Sequence, residues 1–181
     1  MTLAACRVDE PIEPPPAEVA DQAAVPVTSE HEFLAVMRMH HLETVDRAQE
    51  LQEVTEREEM RALADEVISE GQRAITRIET MLEEHYPDAP SDVPYEATTR
   101  SLENVPPEEA DRVFLEDMIG HEEQAVQTAQ YLLASDVEVQ QDVESLAETT
   151  IETHRQRRNQ MVGYLRDWYN TDIGAERGPL N

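Results

Sequence analysis

Apolar residues recur at every third or fourth position over four stretches of this chain, with polar residues between them. At about 100° per residue, Phe33, Met37, Thr44, Ala48 and Leu51 fall on one stripe, and Leu63, Val67, Ala74, Ile78 and Met81 on a second. Phe114, Met118, Ala125, Ala129 and Leu132 make a third, and Leu146, Thr150, Met161 and Tyr164 a fourth. Glu, Asp, Arg and Gln fill the other faces, so the pattern predicts four amphipathic helices. Ser29 with Glu32 reads as a capping box that opens the first, from about Glu30 to Val54. Thr55 with Glu58 reads as another, opening a second helix that runs to about His85. Pro106-Pro107 suits the first turn of a third helix, where a missing N–H costs nothing. Ser135 with Glu138 opens a fourth, from about Asp136 to Tyr169. The connections at Thr55 and Ser135 are then tight, which forces two antiparallel hairpins.

The two hairpins repeat each other. Phe33, Met37, His40 and His41 align at a constant offset with Phe114, Met118, His121 and Glu122, and Val45 and Ala48 with Val126 and Ala129. In the second helices Leu63, Ala64, Ile68 and Leu82 match Leu146, Ala147, Ile151 and Leu165. One hairpin cannot bury its apolar face alone, so the duplication implies an all-α, pseudo-symmetric four-helix bundle. Residues 29–86 form the first hairpin, 87–105 a crossover carrying Pro87, Pro90 and Pro94, 106–170 the second hairpin, and 171–181 a flexible tail.

Ahead of the bundle, Leu3-Ala4-Ala5-Cys6 resembles a bacterial lipobox, with Cys6 the residue that receives lipid. The charged and apolar segments of a secretory signal would stand upstream of these residues. From Arg7 to Val27 the chain is rich in Pro, Ala and acids, with no helical period, so residues 1–28 read as a lipobox remnant and disordered tether. No run approaches the roughly 18–20 apolar residues that span a bilayer. The expectation is a protein of the cell envelope, facing periplasm or exterior and held to the membrane through Cys6.

Charge and composition narrow the chemistry. With 40 acidic against 14 basic residues the formal charge is −26, which argues against nucleic acid as a partner. Every basic residue is Arg, so Schiff-base chemistry through lysine is excluded. A single Cys excludes intrachain disulfides and multi-cysteine metal sites. The acids read mostly as solvated helix faces.

His40 and His41 flank the first stripe, about 60° and 40° to either side of Met37, and so point toward the bundle interior. His121 repeats His40. Counting back from the tight turn, Glu70 and Gly71 lie opposite the histidine pair, and His154 is the fourth-helix equivalent of Gly71. That helix has about one extra turn before Leu146, so His154 meets His121 only if the loop absorbs the excess. Met37 with His40, and Met118 with His121, are i,i+3 pairs that can face one ion from one helical turn. Imidazole with thioether suits Cu(I), and imidazole with carboxylate suits zinc, iron or Cu(II). The competing reading makes the methionines gap-filling core and the histidines hydrogen-bonded core residues. Arg157 falls on the inward stripe of the fourth helix and requires a carboxylate, for which Glu122 and Glu70 are the candidates. A salt bridge there would take the place of a metal in that half. His31 and His85 read as surface residues.

Phe33-x3-Met37-x2-His40-His41, followed by Leu63-Ala64-x3-Ile68-x3-Gln72 and Met81-Leu82, resembles domain-of-unknown-function family 305, with residues 114–165 similar to a degenerate second copy. The resemblance implies a ferritin-like bundle, export to the envelope, and copper binding through Met37, His40 and His41. The family's methionine seven residues after the first His is Arg47 here and Thr128 in the second copy, and the second His of the pair is Glu122 there. Enzyme motifs are missing: no His has Glu three residues earlier, as di-iron carboxylate sites need, and no His-Glu-x-x-His occurs. The expectation is a non-enzymatic protein binding or sequestering copper or another transition metal. His40, His41, Met37, Met118 and His121 are the ligands, with Glu70 or His154 completing the set. The alternative is a metal-free bundle serving as a structural or protein-interaction module. No protein partner or oligomeric state is read from the sequence.

Overall fold

The computed structural model describes residues 25–91 and 93–171. Cys6, most of the tether and the tail from 172 onward lie outside the described residues. Four helices follow in order: α1 Glu30–Val54, α2 Glu58–His85, α3 Pro107–Ala134 and α4 Gln141–Tyr169. The described residues contain no strand, and none of these helices is long and apolar enough to cross a membrane. α1 packs against α2, α3 against α4, and α1 against α3, giving a four-helix bundle of two hairpins. Among the described residues α2 and α4 share no comparable interface, and a cleft opens between them.

Ser29 caps α1 as its sequence suggests, its side chain accepting from Glu32 N at 3.1 Å. The other two capping boxes are not formed. Thr55 instead closes α1, its N–H donating to Leu51 O, and its Oγ1 accepts from Arg57 N, so that α2 begins at Glu58 without a side-chain cap. Ser135 likewise closes α3: its Oγ donates to Leu132 O at 2.7 Å and accepts from Val137 N at 3.3 Å. α4 therefore starts at Gln141, five residues later than the pattern predicts. Residues 135–140 alternate between half-buried and exposed, and Val137 and Val139 pack against the core. Burying two β-branched residues in extended chain wins over a weak local cap.

The tether's end is also part of the fold. Val27 is buried, and Val25 N donates to Thr128 Oγ1 on α3 at 3.1 Å.

The core divides into two apolar clusters, one toward each end of the bundle. Phe33, Met37, Ile78 and Ala129 belong to one, and Leu51, Leu63, Phe114, Met118 and Met161 to the other. Each large buried side chain contributes about 1.5–3 kcal/mol. Between the clusters lies a layer of buried polar residues: His40, His41, Thr44, His121, Glu122, His154 and Arg157. Burying so many polar groups at one level costs free energy that uniform apolar packing would avoid, which marks the layer for function.

Candidate metal centre

α1 brings His40 and His41 inward from its middle, 2% and 5% exposed. Gly71 allows that approach, because a Cβ there would stand 2.6 Å from Val45 Cγ2. The extended 135–140 segment absorbs the extra turn, and α4 places His154 at the level of the pair. The ring centroids of His40 and His41 are 5.6 Å apart, those of His40 and His154 5.4 Å, and those of His41 and His154 5.3 Å. His121 lies on the other side of His40, its ring stacked at 3.8 Å and 9° from parallel.

The four imidazoles differ in their hydrogen bonding. His121 Nδ1 lies 2.8 Å from Thr98 Oγ1, and its Nε2 lies 3.0 Å from Thr44 Oγ1 and 3.3 Å from His40 O. Thr44 Oγ1 donates to His40 O, so the network assigns the proton of His121 to Nε2, with Nδ1 accepting from Thr98. Both its nitrogens are therefore occupied. His40 Nε2 and His41 Nδ1 are buried without a hydrogen-bond partner. His154 Nδ1 is 2.7 Å from Glu122 Oε2 but outside hydrogen-bond geometry. Burial, reinforced by the neighbouring imidazoles and by Arg157, pushes the pKa of His40 and of His41 well below the ordinary value. Burial also lowers that of His121, against the pull of Glu43 and Glu122. Neutral imidazoles with bare lone pairs are the form that ligates metal.

Arg157 finds both carboxylates that the sequence offers it. Its Nη1 donates to Glu122 Oε1 at 3.1 Å, and its Nη2 donates to Glu70. Burial opposes ionisation of Glu122, yet Arg157 and His154 outweigh it and bring the pKa down to about 2. The guanidinium thus meets two carboxylates beside the imidazoles, and that group of three carries one net negative charge.

The remaining candidates scatter. Met37 and Met118 are buried in opposite apolar clusters, each one helical turn before its histidine. Glu70 is committed to Arg157, and Cys6 lies outside the described residues. His31 Nε2 meets Pro90 O at 2.9 Å, and His85 Nε2 meets Asp142 Oδ2 at 2.9 Å.

Sequence reasoning missed Glu43, which is 7% exposed. It accepts from Tyr95 Oη, Thr98 N, Thr99 N and Thr99 Oγ1 at 2.5–2.8 Å, pinning the crossover onto α1. Through Thr98 that anchor reaches His121. Seven residues on, Glu50 accepts from Leu102 N at 2.6 Å and from Ser101 Oγ at 3.3 Å, continuing the line of contacts. The available signal was the position of Glu43 one turn past the histidine pair, on the arc between the stripe and the outer face.

Among the described residues, no three His, Cys, Asp or Glu side chains already turn their donor atoms to one point. The spacing of the rings nevertheless fits an ion. Three imidazole nitrogens at about 2.0–2.1 Å from a metal place their centroids about 5.1–5.6 Å apart, for angles between tetrahedral and trigonal. The His40, His41 and His154 separations of 5.3–5.6 Å fall in that range. Rotation about χ2, a broad torsion for His, redirects the nitrogens and leaves the centroids nearly in place.

The family model described as domain of unknown function (DUF305) matches residues 30–165. Among solved structures the chain is similar to a DUF305 fragment from Deinococcus radiodurans, at 26% identity and a TM-score of 0.69, covering 80% of this chain and 99% of that one. It is also similar to CopM in a Cu(I)-bound form, at 22% identity, a TM-score of 0.65, and 79% and 99% coverage. CopM in a Cu(II)-bound form is 20% identical, with a TM-score of 0.66 and coverage of 78% and 98%. At those identities the CopM likeness speaks for the fold. No curated protein matches the chain.

Proposed function

The chain belongs to the DUF305 family, and from that premise we propose that it is a non-enzymatic protein that binds copper, or another transition metal, in its central polar layer. The ligands are His40, His41 and His154, and the observation that carries the reading is their triangle of ring centroids at 5.3–5.6 Å. The unpartnered nitrogens of His40 and His41 support it. His121, saturated by Thr44, Thr98 and the His40 carbonyl, stands behind His40 as a stacked support. Three imidazoles without thiolate suit Cu(I), Cu(II) or Zn(II). CopM, with bound copper in its Cu(I) and Cu(II) forms, gives copper the first claim. The protein works in the cell envelope, tethered through a lipid on Cys6. Detergent-phase partitioning of the full-length gene product tests the tether, and purely aqueous partitioning would sink it.

Titration of the purified protein with Cu(I), Cu(II) and Zn(II) tests the centre. His40→Ala combined with His41→Ala is expected to remove one equivalent of the bound metal. Unchanged stoichiometry and affinity in that variant would overturn the ligand assignment. A second reading, a metal-free structural or interaction bundle, draws on Arg157, which already pairs with two carboxylates at this level. It prevails if the wild-type protein takes up none of the three ions at micromolar concentration.

A further inference from the structure

The cleft between α2 and α4 leads to the rings of His41 and His154, with a cavity of about 270 Å³. Its charge is opposite to that of the rest of the molecule. The chain carries 40 acidic and 14 basic residues, yet the cleft is lined by Arg73, Arg77 and Arg157 against Glu70 alone. Arg157 is neutralised by Glu122 and Glu70. Arg73 and Arg77 are exposed, one turn apart on α2, and among the described residues neither makes an ion pair. Their hydrogen bonds go to the neutral acceptors Ser69 Oγ and Asp142 O.

A hydrated cation entering here meets the guanidiniums of Arg73 and Arg77, neither of them in an ion pair, before the first imidazole. Distant carboxylates do not offset them, since exposed charges are screened beyond about 8–10 Å at ordinary salt. We propose that this cleft binds small anions and that metal reaches His41 and His154 as an anionic complex of halide or sulfur ligands, not as a hydrated cation. The proposal rests on the metal-binding reading. In the transfer each incoming imidazole nitrogen donates its lone pair to the ion, and each displaced anion leaves with its own pair past Arg73 and Arg77. The oxidation state of the metal does not change.

The test compares two sources of Cu(I) at equal ionic strength without oxygen: the anionic thiosulfate complex and the cationic acetonitrile complex. Uptake is read by rapid mixing quenched with a chelator, in wild type and in Arg73→Glu/Arg77→Glu. Both positions are exposed and outside the core, and thermal unfolding checks that the variant keeps its fold. Uptake from thiosulfate is expected to slow by about tenfold or more in the variant, the scale of local electrostatic steering. Uptake from acetonitrile is expected to hold or quicken, and the final stoichiometry to stay the same. Equal effects on both sources, or none on the thiosulfate source, would overturn the proposal. Thiosulfate alone separates this idea from the one beneath it, through shifts of the Arg73 and Arg77 Nε–H NMR signals. Shifts without metal uptake from either source keep the anion cleft and overturn the metal reading. Normal metal uptake without shifts does the reverse.

Discussion

The imidazole of His121 stacks on that of His40 at 3.8 Å, 9° from parallel, and only His40 retains an unpartnered ring nitrogen. Two residues equivalent in the sequence repeat have thus taken different roles: His121 ties α3 to α1 and to the crossover, and His40 keeps a lone pair. Replacing His121 by Phe preserves the stack and removes the hydrogen bonds to Thr44 and Thr98. The expected outcome is a loss of about 1–3 kcal/mol in urea denaturation, with metal stoichiometry unchanged. A lost equivalent of metal would return His121 to the ligand set.

Glu43 is expected to hold the crossover in place. Glu43→Ala leaves four donors without their acceptor, at a cost of about 2–4 kcal/mol. Hydrogen exchange at the Thr98 and Thr99 amides should accelerate more than exchange in the helix centres. Uniform acceleration would mean that Glu43 acts on global stability only.

Gly71 sits on α2 against Val45 and the backbone of His41 on α1. Gly71→Ala gains about 1 kcal/mol of helix propensity but drives its Cβ into Val45 Cγ2, 2.6 Å away. A net loss of about 1–2 kcal/mol is expected, because a β-branched neighbour has little freedom to yield. Val45→Ala in the same chain should recover most of the loss, measured by thermal unfolding. A variant as stable as wild type would show that α1 shifts without strain.

Acid should weaken the metal-free protein in two windows. The folded pKa of His40, of His41 and of His121 lies below the ordinary 6.5, so the unfolded chain binds protons first and stability falls as pH drops below 6.5. Each of the three contributes a slope of up to about 1.4 kcal/mol per pH unit. Glu122, at about 2 when folded against 4.5 as its ordinary value, adds a loss between pH 4.5 and 2. Urea midpoints between pH 8 and 5 should decline, and His40→Asn/His41→Asn should flatten the decline. A flat wild-type profile would show that these rings take up protons in the fold as readily as in the unfolded chain.

Arg157→Leu removes the guanidinium from a carboxylate that is fully buried. The pKa of Glu122 should rise from about 2, followed by carboxyl carbon NMR. Stability should fall by about 3–5 kcal/mol near neutral pH, the cost of a buried charge without its partner. A smaller loss with an unchanged pKa would mean that His154 alone suffices.

Much of the fold was legible because helical periodicity and burial are local properties. Ser29, the Pro106-Pro107 start and the four stripes place α1 to α4, and the matched Phe33 and Phe114 halves predict the two hairpins. The inward turn of His40, His41 and Arg157 follows from the same arithmetic. The misreadings at Thr55 and Ser135 share one cause: a Ser or Thr three residues before Glu also suits the end of the preceding helix. At Ser135 the alternation of Val137 and Val139 carried the deciding signal.

The sequence by itself determined that there are four helices, their pairing, most of the inward residues and the family. Only the tertiary structure decided which inward groups meet. Six residues of extended chain at 135–140 bring His154 level with His40 and His41, and the crossover brings Thr98 to His121 and Glu43 to its four donors. A helical stripe specifies direction, but not depth along a neighbouring helix. Depth depends on how a loop packs, and loop packing is settled by contacts between residues far apart in the chain.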